Sequence, residues 1–227
     1  MASPARGSRA AATWVVVVAA GDGNRYGGRK QFAEISGRPV FCFALDSARS
    51  VATGIVLVVP ASTTESEFAS FTEADVVVRG GATRADSVRA GLAVVPVDAD
   101  VVVIHDAARP LASARLFESV VQAVRDGADA AVPALRVADT LKRVEGETVV
   151  ATVPRDDLVA VQTPQAFRAE VLRRAHADAP QATDDAGLVE SIGGTVRIVV
   201  GEAFNLKLTE PGDLRVIEVL AAGRSLQ

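Results

Sequence analysis

Five short, almost wholly apolar runs recur along the chain, at 14–20 (WVVVVAA), 54–59 (GIVLVV), 74–78 (ADVVV), 99–105 (ADVVVIH) and 128–133 (ADAAVP), with longer amphipathic stretches between them. A strand that leaves one face in water alternates apolar and polar residues; these runs do not, so both of their faces are buried. Helical stretches between such strands form crossovers, which predicts an α/β fold with a mostly parallel twisted sheet and helices on both faces. No run approaches the ~20 apolar residues that span a bilayer, so no membrane partner is expected.

Helix ends are marked by polar residues. Ser62 with Glu65 has capping-box spacing, Ser113 can cap a helix that stops at Gly127, and Thr209-Glu210-Pro211 opens the last helix. One stretch departs from the α/β rhythm. Residues 135–153 read as two strands joined by Glu145-Gly146-Glu147, a β-hairpin arm at about 135–155 inserted into the sheet fold. Its faces carry few large apolar residues, so packing against a second subunit would stabilise it better than water does. Residues 1–12 are small, basic and aperiodic, and are expected to be a disordered tail; residues 13–227 make one domain.

The chain carries 24 basic and 28 acidic residues, a net charge of −4, so general attraction to nucleic acid is not expected and an anionic ligand has to be met locally. The single cysteine, Cys42, lies in the apolar stretch VFCFAL and reads as an inert core thiol; with no disulfide possible within the chain, a cytoplasmic location is the default. His105 and His176 have no metal-like spacing to a second ligand and read as structural or solvated. Of the 24 basic residues 21 are arginine, and the three lysines are Lys30, Lys142 and Lys207. A lysine kept against that bias fits a place where a compact ammonium neutralises one phosphate oxygen, which singles out Lys30 and Lys207.

Lys30 follows a glycine loop, Ala19-Ala-Gly-Asp-Gly-Asn-Arg25, directly after the first apolar run. Gly21 and Gly23 can bring backbone N–H groups close to an anion, with Arg25 and Lys30 adding charge, which makes a phosphate cradle. The dinucleotide fingerprint has its first two glycines here but Tyr26 at the third, and no Gly-Lys-Ser/Thr follows. His105-Asp106-Ala-Ala-Arg109-Pro110 closes another strand, and in a parallel sheet this cluster and the glycine loop open onto the same crevice. Asp106 can bind a hydroxyl or a metal, and Arg109 an anion. One carboxylate is no cage, so a Mg²⁺ ion there would take its other ligands mainly from phosphates.

Eight segments then occur in order: AAGDGNR (19–25), KQF (30–32), GGATRADSV (80–88), HDAARP (105–110), DTLK (139–142), TPQ (163–165), TDD (183–185) and NLKLT (205–209). Together they resemble the 2-C-methyl-D-erythritol 4-phosphate cytidylyltransferases of non-mevalonate isoprenoid synthesis, over 14 to about 220. The resemblance implies a single Rossmann-like nucleotidyltransferase domain that transfers a cytidylyl group from CTP to 2-C-methyl-D-erythritol 4-phosphate, with Mg²⁺ and release of pyrophosphate. Arg25, Lys30 and Lys207 are then the catalytic residues, stabilising charge at the α-phosphorus. Ala19, Ala20, Gly21, Gly23, Gly81, Ala82 and Ser87 bind the nucleotide, and Asp106 and Arg109 line the acceptor and metal region. The hairpin implies a homodimer in which Thr140 and Arg155 reach the partner's acceptor phosphate opposite Thr163. Arg29 stands where the family usually has proline, and Ala82 where some members have aspartate. No appended cyclase domain is recognisable, so a single activity is expected. The competing readings are a D-ribitol 5-phosphate cytidylyltransferase, against which Asp139-Thr140 and Thr183-Asp184-Asp185 stand, and a non-catalytic nucleotide-binding homologue.

Overall fold

A computed structural model describes residues 12–21, 26–178, 180 and 182–224. In chain order the elements are β1 (Thr13–Val18), β2 (Glu34–Ile35), β3 (Arg38–Pro39), α1 (Val40–Ala48), β4 (Gly54–Val59), α2 (Glu65–Ser70), β5 (Val76–Arg79), α3 (Arg84–Val94), β6 (Val101–Asp106), α4 (Ala114–Arg125), β7 (Ala130–Arg136), β8 (Leu141–Glu145), β9 (Thr148–Val153), β10 (Val159–Val161), β11 (Gln165–Arg168), α5 (Ala169–Ala175), α6 (Asp185–Ser191), β12 (Val196–Val200) and α7 (Pro211–Arg224).

The main sheet runs β10-β7-β11-β6-β1-β4-β5, with β12 added to β7. Strands β6, β1, β4 and β5 are parallel, β12 is parallel to β7, and β10 and β11 are antiparallel to their neighbours. Every residue of β4 and β6 is buried, as their unbroken apolar runs require. Side chains alternate between two cores. Val15, Val17, Ile55, Leu57 and Val103 pack with Leu45 of α1 and Phe117 of α4, while Val16, Val56, Val58 and Ile104 pack with Leu92 of α3, Leu172 of α5 and Val189 of α6. Each such side chain removed from water is worth about 1.5–3 kcal/mol. A third cluster seats Leu208 and Ile217 on Ile35 and Leu111, which anchors the segment that carries Lys207.

Ser113 caps α4 by accepting from the Leu116 amide at 3.1 Å, and Pro211 begins α7, as the sequence predicts. The capping box predicted at Ser62 and Glu65 lies two residues later. Thr64 accepts from the Glu67 amide while the Glu67 carboxylate accepts from the Thr64 amide at 2.8 Å. The hairpin is present as β8 and β9, a two-stranded sheet of its own turning at Gly146, whose φ of +58° suits glycine. It begins at Leu141, not at 135: residues 135 and 136 belong to β7, where β10 pairs with them. Ala12, assigned to the tail on composition, is buried and donates its amide to Asp100 at 2.7 Å. Residues 1–11 lie outside the described residues, as do Gly23 and Arg25. Cys42 is buried on α1, and burial pushes its thiol pKa up, which keeps it unreactive. Among the described residues no helix is long and apolar enough to cross a membrane.

Candidate active site

The carboxyl ends of β1, β4, β5 and β6 open onto one cleft of about 590 Å³. Strand β1 delivers Ala19, Ala20 and Gly21; the turn after β5 delivers Gly80 to Thr83; β6 ends on Asp106; Lys30 and Lys207 reach in from flanking segments. In the turn after β5, Gly80 and Gly81 have no room for side chains. A Cβ on Gly80 would lie 2.5 Å from Cβ of Ala20 and 2.6 Å from Oγ of Ser87, so glycine is required where the two loops meet. Ser87 holds that turn closed, accepting from the Gly81 amide at 3.2 Å and donating to the Thr83 carbonyl at 2.9 Å. On the other wall Gln31 donates to the Gly21 carbonyl at 3.1 Å.

Asp106 is the electrostatic centre. Its Oδ2 accepts from the Lys207 ammonium at 2.6 Å and its Oδ1 from Nε of Arg84 at 3.3 Å. Burial alone would push the carboxyl pKa up, but the charges of Arg84, Lys207 and Arg109 outweigh it and hold the group well below the usual carboxylate range. Arg84 also donates to Asp185 at 2.8 Å, and the other Asp185 oxygen meets Nε2 of His176 at 3.0 Å, both residues being buried. Burial would lower the Arg84 pKa, yet its two carboxylate partners raise it above the ordinary arginine value. Lys30, Arg84 and Lys207 thus face the cleft against Asp106, the only carboxylate among the described lining residues. The surplus of positive charge suits a polyanion.

Ala19, Ala20, Gly21, Lys30, Gly81, Ala82, Ser87, Asp106 and Lys207 are therefore brought together as the sequence reading placed them. Four others are not in the cleft of this chain. Arg109, expected at the ligand, does not line the cleft: its guanidinium donates to the Asn205 carbonyl at 2.8 Å and so braces the Lys207 segment. Thr163 is buried beneath Asp106, accepting from the Asp106 amide at 3.1 Å and meeting Nδ1 of His105 at 3.1 Å. Thr140 and Arg155 are exposed on and beside the hairpin, and Arg155 donates to the carbonyl of Ala138. His105, fully buried, donates from Nε2 to the Arg109 carbonyl at 3.2 Å, so of the structural and solvated roles read from its spacing it has the structural one.

Sequence reasoning missed Arg84, although it stands within the GGATRADSV segment. The available signal is physical. A cation at the first position of a helix opposes the helix dipole, so Arg84 needs carboxylates to hold it, and Asp106 and Asp185 are those carboxylates.

A family model for IspD, 2-C-methyl-D-erythritol 4-phosphate cytidylyltransferase, matches residues 13–222. The chain belongs to this family. It is 46% identical over 217 residues to the 2-C-methyl-D-erythritol 4-phosphate cytidylyltransferase of Nocardia farcinica, covering 92% of this chain and 94% of the relative. It is 42% identical over 228 residues to the bifunctional enzyme IspD/IspF of Solidesulfovibrio magneticus, covering 92% of this chain and 57% of that protein. The crystal structure of the Thermus thermophilus 2-C-methyl-D-erythritol 4-phosphate cytidylyltransferase superposes with a TM-score of 0.79 at 36% identity, covering 91% of this chain and 98% of that one. The family is one of nucleotidyltransferases, and the mixed, mostly parallel sheet found here is its fold.

Proposed function

We propose that the chain transfers the cytidylyl group of CTP to 2-C-methyl-D-erythritol 4-phosphate, giving 4-diphosphocytidyl-2-C-methyl-D-erythritol and pyrophosphate. The observation that carries this reading is the cleft in which Lys30, Arg84 and Lys207 face Asp106 behind the glycine turns. Attack of one phosphate on the α-phosphorus of another gathers negative charge in the transition state, and fixed cations stabilise that charge more than they stabilise bound substrate. A phosphate monoester is already ionised at neutral pH, so no general base is required and positioning is the main task. Lys207 donates one N–H to Asp106 at 2.6 Å, which fixes its direction and leaves its other donors for phosphate oxygens. Asp106, ionised and buried, is placed to accept from an acceptor or ribose hydroxyl once a ligand displaces one of its partners. The turn at Gly80 and Gly81 presents bare backbone, which can read the donor and acceptor edge of cytosine.

Mg²⁺ fits only as part of the nucleotide complex. Among the described residues no group of three or more His, Cys, Asp or Glu is gathered for a metal, and both Asp106 oxygens are engaged by Arg84 and Lys207. Triphosphate oxygens would be its main ligands, with Asp106 at most one more, and its contribution when bound is to neutralise the triphosphate charge. A homodimer through the hairpin is part of the proposal. Val144, Val149 and Val150 are exposed on the arm, and Thr140 and Arg155 are exposed outside the cleft of their own chain, where a partner's acceptor phosphate could meet them. We place the protein in the cytoplasm, in keeping with its lone buried thiol.

The test is pyrophosphate release from CTP and Mg²⁺ with 2-C-methyl-D-erythritol 4-phosphate and D-ribitol 5-phosphate run in parallel. Turnover with the first alone is expected. Turnover with the second alone overturns the acceptor assignment, and silence with both overturns the catalytic reading.

A further inference from the structure

Arg29 precedes Lys30 and joins two segments of the cleft wall. Its guanidinium donates to the carbonyl of Ser62 at 3.1 Å and to the Ser62 hydroxyl at 2.9 Å, and pairs with Oε1 of Glu67 at 3.3 Å. Ser62 and Lys30 both line the cleft, 32 positions apart in sequence. The acceptors are themselves held. The other Glu67 oxygen accepts from the amide and hydroxyl of Thr64, closing the capping box of α2. The Arg29 guanidinium also lies 6.0 Å from the centre of the Phe32 ring, which packs on Phe41 and Phe71 at the core edge.

We propose that Arg29 is a positioning residue: it straps the turn that bears Lys30 to the Ser62 segment and thereby sets where the Lys30 ammonium meets the triphosphate. This rests on the nucleotidyltransferase reading of the cleft. A single exposed ion pair contributes little, but here one planar fork meets a carboxylate, a carbonyl and a hydroxyl, whose acceptor directions a flexible ammonium could not satisfy together. The turn is stiff enough to transmit the constraint. The Lys30 amide donates to the Gly28 carbonyl at 2.8 Å, that of Phe32 to the Arg29 carbonyl at 2.9 Å and that of Ala33 to the Lys30 carbonyl at 3.1 Å, so displacement of Arg29 carries Lys30 with it. A charge displaced by about 1 Å from developing negative charge can cost an enzyme on the order of 100-fold.

Three variants test the strap in the full chain. Arg29→Ala removes it, Arg29→Lys keeps the charge without the fork, and Glu67→Gln keeps the capping box while replacing the carboxylate with an amide. Amide hydrogen exchange over 26–33 reads the strap without any turnover. Arg29→Ala should speed exchange about 10-fold and Glu67→Gln by a smaller factor, with thermal midpoints within about 2 °C of wild type. In steady-state assays Arg29→Ala should lower kcat/KM for CTP about 10-fold, and Arg29→Lys should recover only part of it. Made in a Lys30→Ala background, Arg29→Ala should cost less than about twofold more, because its target is gone. Unchanged exchange, or an equal loss with and without Lys30, overturns the proposal. If wild type does not turn over CTP, it is the functional reading that fails, and exchange still decides the strap.

Discussion

Lowering the pH should destabilise this protein through one buried imidazole. His105 lies in β6 beneath the cleft, and burial, opposed only in part by Asp106 and the Arg109 carbonyl, lowers its pKa from 6.5 to about 4. Its Nδ1 accepts a hydrogen bond from the Thr163 hydroxyl while that hydroxyl accepts from the Asp106 amide, so a proton on Nδ1 would leave the hydroxyl facing two donors. Above pH 6.5 the ring is neutral in both states and stability is unaffected. Between 6.5 and 4 the unfolded chain binds a proton that the folded chain refuses, so stability falls with pH, and below about 4 the loss is complete. With those two values the loss at pH 5 is about 2 kcal/mol, against a limit of about 3 kcal/mol. Asp75, Asp86, Asp106, Asp129 and Asp213, whose pKa values are lowered in the folded protein, lose their contributions mainly at lower pH. The assay is urea unfolding at pH 7.5, 6.5, 5.5 and 5.0 at one protein concentration, with His105→Gln in parallel. Wild type should lose about 2 kcal/mol across the series and the variant markedly less. A flat wild-type series, or an equal fall in the variant, would refute the assignment of a neutral buried His105.

Three further outcomes follow from the site. Lys30→Ala and Lys207→Ala should each lower kcat by about 100-fold or more with normal circular dichroism and melting, since the charge acts mainly in the transition state; unchanged turnover removes that lysine from the chemistry. Lys30→Ala and Arg155→Ala subunits, each strongly impaired alone, when mixed one to one and allowed to exchange should recover about a quarter of wild-type activity, because each mixed dimer holds one intact site; no recovery after confirmed exchange confines Arg155 to its own subunit. Gly80→Ala should raise KM for CTP at least about 10-fold, because its Cβ would meet Ala20 and Ser87 at 2.5–2.6 Å and force the two loops apart; nucleotide titration showing wild-type affinity would sink that reading.

The pattern of apolar runs was enough for the layered sheet and for the meeting of the glycine loop with Asp106, because burial on both faces leaves a strand few arrangements and parallel strands place their carboxyl ends together. Boundaries set by partners distant in the chain were not legible. β7 extends to Arg136 because β10 pairs with its end, which shortens the hairpin predicted from residue 135. Ser62 has the spacing of a helix cap, yet its hydroxyl and carbonyl serve Arg29, and Thr64 takes the cap.

At the site the division is sharper. Residue type and order along the chain were sufficient to point to the two lysines, the first glycine loop and Asp106, which line one cleft, while the turn at Gly81 was singled out only by the family resemblance. Which face of a wall each side chain occupies was decided only in three dimensions. Arg84 enters the cleft because Asp106 and Asp185, 22 and 101 positions away, offset both its burial and its unfavourable place at a helix N-terminus. Arg109 and Thr163, carried by motifs as telling as the lysines', are engaged by the Asn205 carbonyl, His105 and the Asp106 amide beside the cleft lining. Hydrophobic periodicity is a property of a short segment, whereas the direction of a buried cation is a balance between desolvation and carboxylates brought from elsewhere in the chain, and that balance exists only once the fold has formed.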